Sequence, residues 1–465
     1  MRVCCSKVGD ASEPGVELGA KEVIPVKKKA YRSIEIQKVV FAQVLAALVT
    51  PVVILALDVA KRRVLGAVAD ALGQVHSLVH FALPEQLPLF LDLARQLREQ
   101  GRTVQLVMEP TGSYSSPILH AAHAAGVDVF LVNPKRAHDA AEVYDGVPSK
   151  HDPKDAAVLA WLHAQGRSKR WTPLPESRRE LRALLDERDL YAIPLDEHFG
   201  RVEARLAEWW PELLQVVAVR ERISVLRWLV TYADPARVRA EPAKATAALR
   251  KLSRGAMETT TLDAIVASAQ NCKGASMLPA EQTMLVRLFE EVVRLHDHCA
   301  EVETRLGQVL DTIPNLAPVT AMLGAVTTSV VWARVGDPKD YSSASALEKA
   351  CGLNLKESSS GERQGHGIHL TKRGPGVVRK YLYLLALRVI GKDPVVRAWY
   401  ERRRGFAADT KVVAVVAVMR KLVRALWHVA RGNAFDATKL FDVRRWSVAT
   451  KGSATTTRAT EEVLA

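Results

Sequence analysis

Cysteine is scarce in this sequence and badly placed for cross-linking. Its 465 residues include 5 cysteines, Cys4, Cys5, Cys272, Cys299 and Cys351. The number is odd and no C-x-x-C pair occurs, which excludes a disulfide framework and a thiolate zinc site. A reducing compartment, the bacterial cytoplasm, is therefore expected. Long apolar runs are lacking too. The nearest approach to a membrane span, Val39 to Leu57, is interrupted by Gln43, Thr50 and Pro51 and closed by Asp58. It reads as a short helix and then a buried strand, with no membrane partner. Residues 1 to 38 lack the ordered charged start, apolar core and small-residue cleavage site of a secretory signal.

Positive charge, by contrast, is in excess. Lys and Arg number 65 against 51 Asp and Glu, a formal charge of +14, so polyanions and first of all nucleic acids are the partners to test. With 48% hydrophobic and 25% charged residues, the chain has the composition of a folded globular protein. Its length allows two or three domains.

The pattern divides the chain into five stretches. Residues 1–50 read as a poorly ordered extension or short helix. Residues 51–175 alternate β-rich runs with helical periods, the mark of an α/β layer architecture. VVILALD (Val52 to Asp58) is the first strand, RVLGAVAD and QVHSLVHFAL its hairpin partners. A helix from Pro84 to about Glu99, the strand TVQLVMEP, a helix from about Ser115 to Ala125 and the strand VDVFLVNP follow. Three strands, a helix and then alternating strand and helix is the ribonuclease-H-like order. Residues 176–310 are helical. There Leu285, Leu288, Val292, Leu295, Cys299, Val302, Leu306 and Val309 alternate three and four apart, as in a coiled-coil seam. A weaker seam runs from Leu181 to Trp209, with polar Arg188 in it and Pro194 expected to kink it. The two helices read as an arm or oligomerisation surface, with a bundle inside one subunit as the alternative. Residues 311–445 are mostly helical around a polar, glycine-rich stretch between Gly352 and Gly376. The tail, 446–465, reads as disordered.

Four carboxylates carry the chemistry. Asp58 ends the first strand and Glu109 ends TVQLVME. Asp152 and Asp155 stand three apart on the helix DPKDAAVLAWL, hence on one face. An acid that ends a run of buried strand residues needs a reason for its desolvation. Four like charges converging in a cleft require divalent cations, and hard oxygen donors select Mg²⁺ or Mn²⁺. Such ions hold the attacking and leaving oxygens of a phosphodiester. Taken singly, each acid has a structural reading as a helix cap or surface pair.

The segments ALDVAK (Ala56 to Lys61), MEPTGSY (Met108 to Tyr114), VNPKRAHDAAEVYDG (Val132 to Gly146) and SKHDPKDAAVLA (Ser149 to Ala160) resemble the N-terminal domain of the insertion-sequence-110 family. These are DEDD-type transposases of bacterial mobile elements, whose first domain resembles the junction resolvase RuvC. The resemblance implies a catalytic and metal-binding tetrad of Asp58, Glu109, Asp152 and Asp155. His151, where the family commonly has Thr, reads as a flanking spectator. Further on, IPNLAPVTAMLGAV, YSSASALEKACGLN and SSSGERQGHGIHLTKRGPGVVRKYL resemble the family's C-terminal serine transposase domain. By that likeness Ser360 is the nucleophile that becomes joined to DNA, acting together with the tetrad. Ser358 and Ser359 are the alternatives if the register slips. Around it, Arg363, His366, Lys372, Arg373, Arg379 and Lys380 supply cationic donors suited to phosphate oxygens, Lys372 and Arg379 first among them. Arg397, Trp399, Tyr400, Arg402, Arg403 and Arg404 extend that surface, with Trp399 equally at home in a core. Two family elements depart from the pattern: Pro314-Asn315-Leu316-Ala317 replaces a Pro-Gly-x-Gly turn, and Leu355 stands in place of a proline after Gly352, Leu353 and Asn354.

The resemblance implies a transposase guided by a non-coding RNA, acting on two DNAs as a homo-oligomer, probably a tetramer by family habit, beside the nucleoid. The rival readings are a metal-dependent junction resolvase that uses water in place of serine, and a nucleic-acid-binding protein with a degenerate site. An actin-like sugar kinase is set aside, because only VAKRRV follows Asp58 where a glycine-rich phosphate loop is needed.

Overall fold

The computed structural model describes residues 32–146, 152–356, 369–404 and 408–442. The chain divides into two compact units, Met1–Pro173 and Leu174–Ala465.

In the first unit the described elements run β1 (Ile34–Glu35), α1 (Phe41–Ala47), β2 (Val52–Val59), β3 (Arg63–Asp70), β4 (Val75–Ala82), α2 (Leu87–Glu99) and β5 (Thr103–Met108). They continue with α3 (Ser116–Ala124), β6 (Asp128–Val132), α4 (Pro134–Asp145), α5 (Asp152–Ala164) and β7 (Ser168–Trp171). The strands form one sheet of 7 in the order β1-β4-β3-β2-β5-β6-β7. β2 lies antiparallel to β3 and parallel to β5, β5 is parallel to β6, and β7 closes the edge antiparallel. This mixed sheet is compatible with a ribonuclease-H-like domain.

β2 sits mid-sheet because it is apolar on both faces: Val53 to Leu57 are all at most 1% exposed, the pattern of a strand covered on both sides. Val53, Leu55 and Leu57 pack with Phe90, Leu93 and Leu97 of α2 and Ile118 of α3. Ile54 and Ala56 face the opposite layer, where Ala156, Val158, Leu159 and Ala160 of α5 cover them. Residues 32–50 belong to this unit more closely than the sequence suggests. β1 pairs with β4, Ile36, Val44 and Leu48 join the core, and Arg102 bonds the carbonyls of Leu48 and Thr50 at 2.8 Å each. Residues 1–31 and the tail from 443 lie outside the described residues.

The second unit is built on two long helices, α6 (Glu176–Trp209) and, after five shorter ones, α12 (Pro279–Asp311). The five are α7 (Pro211–Val216), α8 (Ile223–Leu229), α9 (Pro235–Ala240), α10 (Pro242–Leu252) and α11 (Thr259–Gln270). Then come α13 (Ala317–Leu323), α14 (Ala325–Arg334), α15 (Ala344–Ala350), the strand pair β8 (Leu355–Lys356) and β9 (His369–Leu370), α16 (Gly376–Lys392), α17 (Pro394–Arg404), α18 (Ala408–Val429) and α19 (Ala437–Leu440).

α6 and α12 run antiparallel: Arg188 pairs with Glu303 at 2.6 Å, Glu187 with Arg305 at 2.9 Å, and the rings of Tyr191 and His298 stack 4.8 Å apart. The heptad positions fill this seam from within one chain. Leu285, Val292, Leu295, Cys299, Val302, Leu306 and Val309 are all buried, as are Leu181, Leu185, Phe199, Val202 and Leu206 facing them. Polar Arg188 is tolerated in the seam because Glu303 and the Tyr381 hydroxyl, 3.0 Å away, take its guanidinium N–H groups. Pro194 does not end α6, which continues for fifteen residues beyond it. Its missing N–H falls on a side where Leu190 and Ile193 are 70% and 58% exposed, so water can satisfy the orphaned carbonyl.

One core lies at each end of this pair. Leu181, Leu184, Val302, Leu306 and Leu310 pack with α13 to α18, while Phe199, Leu206, Leu285 and Phe289 pack with α7 to α11. In the first of these cores Glu348, 3% exposed, is held by Arg420 and Arg424 of α18, the pairing a buried carboxylate requires. Burial raises the nearby Cys351 thiol to about 12, so it stays protonated and unreactive. Trp399, offered as a stacking residue, is 6% exposed and packs against Phe441 instead.

Leu306→Ala is expected to cost about 2–5 kcal/mol of stability, whereas Leu190→Ala, on the exposed side of α6, should change it by less than about 0.5 kcal/mol. Urea unfolding of the two variants reads the difference.

Candidate active site

Two strands deliver the first pair of acids. In both, a run of fully buried residues breaks into solvent at an acid. Leu57 is 0% exposed and Asp58 half-buried; Met108 is 0% exposed and Glu109 half-buried. The parallel register pairs Leu57 with Met108, so the next residues, Asp58 and Glu109, stand side by side on strands about 4.8 Å apart. Alternation decides the face. Leu55, Leu57, Leu106 and Met108 pack towards α2 and α3, so Asp58 and Glu109 point with Ala56 and Val107 towards α5.

The direction of α5 places the second pair. Its C-terminal end is pinned at the far edge of β2, where a Cβ on Gly73 would come within 3.0 Å of Trp161 Cα. His163 Nε2 meets Gln105 Oε1 at 2.9 Å and its Nδ1 meets Ser168 Oγ at 2.6 Å. From that anchor, eight helical residues back to Asp155 span about 12 Å, and four strand residues on from Gln105 to Glu109 span about 13 Å. Asp155 is thereby brought level with Glu109. It lies on the row of Val158, Leu159 and Leu162, all packed on the sheet. Asp152 begins the same helix, and its side chain lies outside the described residues. Among the described residues no three His, Cys, Asp or Glu side chains are gathered closely enough to hold a metal.

The donor chemistry nonetheless suits a divalent cation. Asp58, Glu109 and Asp155 are hard oxygen ligands at one end of one face. The loop after Glu109 also carries a polar atom in need of a partner: Thr111 Oγ1 is buried with no hydrogen bond. Gly112, at φ +60°, turns this loop, and the Ser115 hydroxyl, 2% exposed, closes it by donating to the Gly112 carbonyl at 3.2 Å. The next strand ends in Asn133, which caps α4 by accepting from Lys135 N–H at 3.0 Å.

In the second unit Ser358, Ser359, Ser360, Arg363 and His366 lie outside the described residues, between the paired strands β8 and β9. The basic residues that follow are described. Lys372, Arg373 and Lys380 are exposed, and Lys372 takes the left-handed conformation at φ +52°. Arg379 is half-buried, and its Nη1 donates to the carbonyls of Lys372 (3.2 Å) and Gly374 (2.8 Å). It therefore braces the turn before α16 with one edge of its guanidinium. Gly374 crosses Gly352 so closely that a Cβ there would lie 2.7 Å from Gly352 N and from the Ala350 carbonyl, so glycine is required. Arg397 donates to the carbonyls of Ile390 and Gly391 at the end of α16. The departure at Asn315 is absorbed locally: Asn315 adopts φ +62°, a conformation asparagine tolerates almost as glycine does.

Sequence reasoning missed His163, Gln105 and the ion pair of Lys154 with Asp145. One signal was present. The run from Ala156 to Leu162 is apolar all round, so α5 is buried and any polar residue on it needs a partner.

Compared with known families, residues 55–211 match a model for the DEDD domain described as Transposase, and residues 308–401 match one described as Transposase IS116/IS110/IS902 family. The first match contains all four acids and the second contains Ser360 and the basic turn. A sheet with acids at the ends of its central strands, joined in one chain to this second domain, defines an enzyme that acts on DNA, a transposase. Its DEDD domain implies a requirement for a divalent metal. The chain belongs to the IS110 family of transposases. It is similar to the "Insertion element IS110 uncharacterized 43.6 kDa protein" of Streptomyces coelicolor, with 24% identity over 77% of this chain and 89% of that one. It is also similar to the "Pilin gene-inverting protein" of Moraxella bovis and that of Moraxella lacunata, each with 23% identity over 71% of this chain and 81% of theirs. Among the described residues no helix is long and apolar enough to cross a membrane.

Burial lowers the pKa of His163 from its ordinary 6.5. The unfolded chain then takes up the proton more readily than the folded one, so stability is intact above about pH 6.5 and falls as the pH drops below it. Urea midpoints between pH 7.5 and 5.5 should decline for the wild type and decline less for His163→Gln.

Proposed function

We propose that this transposase cuts and rejoins DNA through a serine nucleophile, Ser360, with Asp58, Glu109, Asp152 and Asp155 holding Mg²⁺ or Mn²⁺. The observation that carries the reading is the register of β2 and β5, which sets Asp58 beside Glu109 on the face that α5 covers. Carboxylates so placed can hold a divalent cation, which when bound offsets charge building on the phosphate oxygens.

The serine step conserves the number of phosphodiester bonds. Ser360 Oγ gives up its proton and bonds to phosphorus, the strand's P–O bond breaks, and the freed sugar oxygen takes a proton. The strand stays joined to the enzyme until a second sugar hydroxyl attacks and releases the serine. Lys372, Arg373, Lys380 and, with its remaining N–H groups, Arg379 bind backbone phosphates next to it, as Arg363 does. The cut-and-rejoin chemistry is supported by the two Moraxella relatives, whose names describe inversion of a gene.

A non-coding RNA guiding the choice of DNA sites, a homo-oligomer with tetramer as the working number, and residence in the bacterial cytoplasm complete the reading. They rest on the family likeness, the +14 charge and the free thiols of Cys272, Cys299 and Cys351.

A plasmid recombination assay with Asp155→Ala and Ser360→Ala tests the proposal. Each should lower recombination at least ~10²-fold, the scale of losing one contact made in the transition state. Ser360→Ala should also abolish the covalent protein–DNA adduct. Cutting that survives this substitution would assign attack to water, as in a junction resolvase.

A further inference from the structure

Lys154 is the most deeply buried cation among the described residues of the first unit, at 1% exposure. Its Nζ lies 2.6 Å from Asp145 Oδ1, and that carboxylate keeps 22% of its side-chain surface. A buried ammonium is tolerated only when paired, so this contact is a condition of how the start of α5 packs. It ties the first turn of α5 to the last residue of α4, across a break in the helical path. Lys154 stands between Asp152 and Asp155 on that turn. The far end of α5 is fixed separately, by His163 on Gln105 of β5. The helix is thus held at both ends, once by a neutral hydrogen bond on the sheet and once by a charged one on α4.

We propose that Lys154 is a positioning residue of the metal site. Through Asp145 it fixes the first turn of α5 so that Asp152 and Asp155 present their oxygens together with Asp58 and Glu109. This rests on the reading of those acids as metal ligands. Residues that orient metal ligands typically contribute 10–100-fold to metal affinity. The field of the ammonium acts in the opposite sense, because a cation beside the site repels a second one. The sign of the effect therefore separates the two roles.

The test uses the full chain bound to a duplex of its element end, with Mn²⁺ titrated and free Mn²⁺ followed by electron paramagnetic resonance. Lys154→Met keeps the length of the side chain and removes its charge, and the released Asp145 carboxylate can take up water. The proposal expects Mn²⁺ to bind about 10-fold more weakly, with the midpoint of Mn²⁺-dependent cleavage moving in parallel. Asp145→Asn breaks the pair from its exposed side and should shift the midpoint the same way, which covers the case in which Lys154→Met does not fold. A purely structural pair would lower the melting temperature and leave the Mn²⁺ midpoint unchanged. That result, or tighter Mn²⁺ binding, overturns the proposal. Asp155→Ala is the control. If it too leaves Mn²⁺ binding intact, the metal reading fails and this proposal with it; if it abolishes binding while both pair variants leave it unchanged, only the role of Lys154 fails.

Discussion

The parallel pairing of β2 with β5 is the constraint on which the first unit depends. It forces a crossover, since parallel neighbours cannot be joined by a tight hairpin, and it fixes a register in which two acids meet. A slip of one residue would turn Asp58 or Glu109 to the face lined by α2 and α3, among Phe90, Leu93 and Ile118. No compensating cation is packed into that layer. The hydrophobic core thereby enforces the placement of the acids: Val53, Leu55 and Leu57 must face one way, and Asp58 follows by alternation.

The second unit uses charge differently. Its interior polar groups are ion pairs between helices remote in sequence, Arg188 with Glu303 and Glu348 with Arg420 and Arg424. Each joins elements whose apolar faces would otherwise pack in several registers. Buried pairs of this kind contribute little net stability but penalise misalignment by stranding a charge. The turn before α16 follows the same economy. Arg379 spends part of its guanidinium on two carbonyls, and the backbone crossing of Gly352 and Gly374 holds the turn close to α15. The exposed cations Lys372, Arg373 and Lys380 are presented by a braced backbone.

The strands of the sheet were legible because their burial is written as apolar runs. RVLGAVAD matches β3 residue for residue, and the reading of β2 falls one residue short. α4 escaped because PKRAHDAAEVYD buries none of its residues, so no apolar period marks it; its signal is the Asn133-Pro134 cap. β7, with the polar sequence SKRW, is a short edge strand that only its partner β6 defines. Residues 32–50 read as an extension because their apolar positions, Ile36, Val44 and Leu48, are too widely spaced to announce a core role. The heptads of α6 and α12 were visible, but periodicity states that a seam exists and not which chain fills it. At the site, strand ends betrayed Asp58 and Glu109. The level of Asp155 depends on the antiparallel run of α5, set by His163 and Gln105, and such long-range contacts leave no local trace. Ser360 falls outside the described residues, so its placement rests on sequence likeness alone.

The long helical pair has a mechanical consequence. Thirty-three residues of α12 extend about 50 Å, and the small helical module α7 to α11 is carried at one tip while the core of α13 to α18 grips the other. A stiff rod of this kind works as a lever. Each degree of tilt at the gripped end sweeps the carried module through about 1 Å over such a length, so modest repacking around Leu181 and Leu306 becomes a large stroke at Trp210 and Trp228.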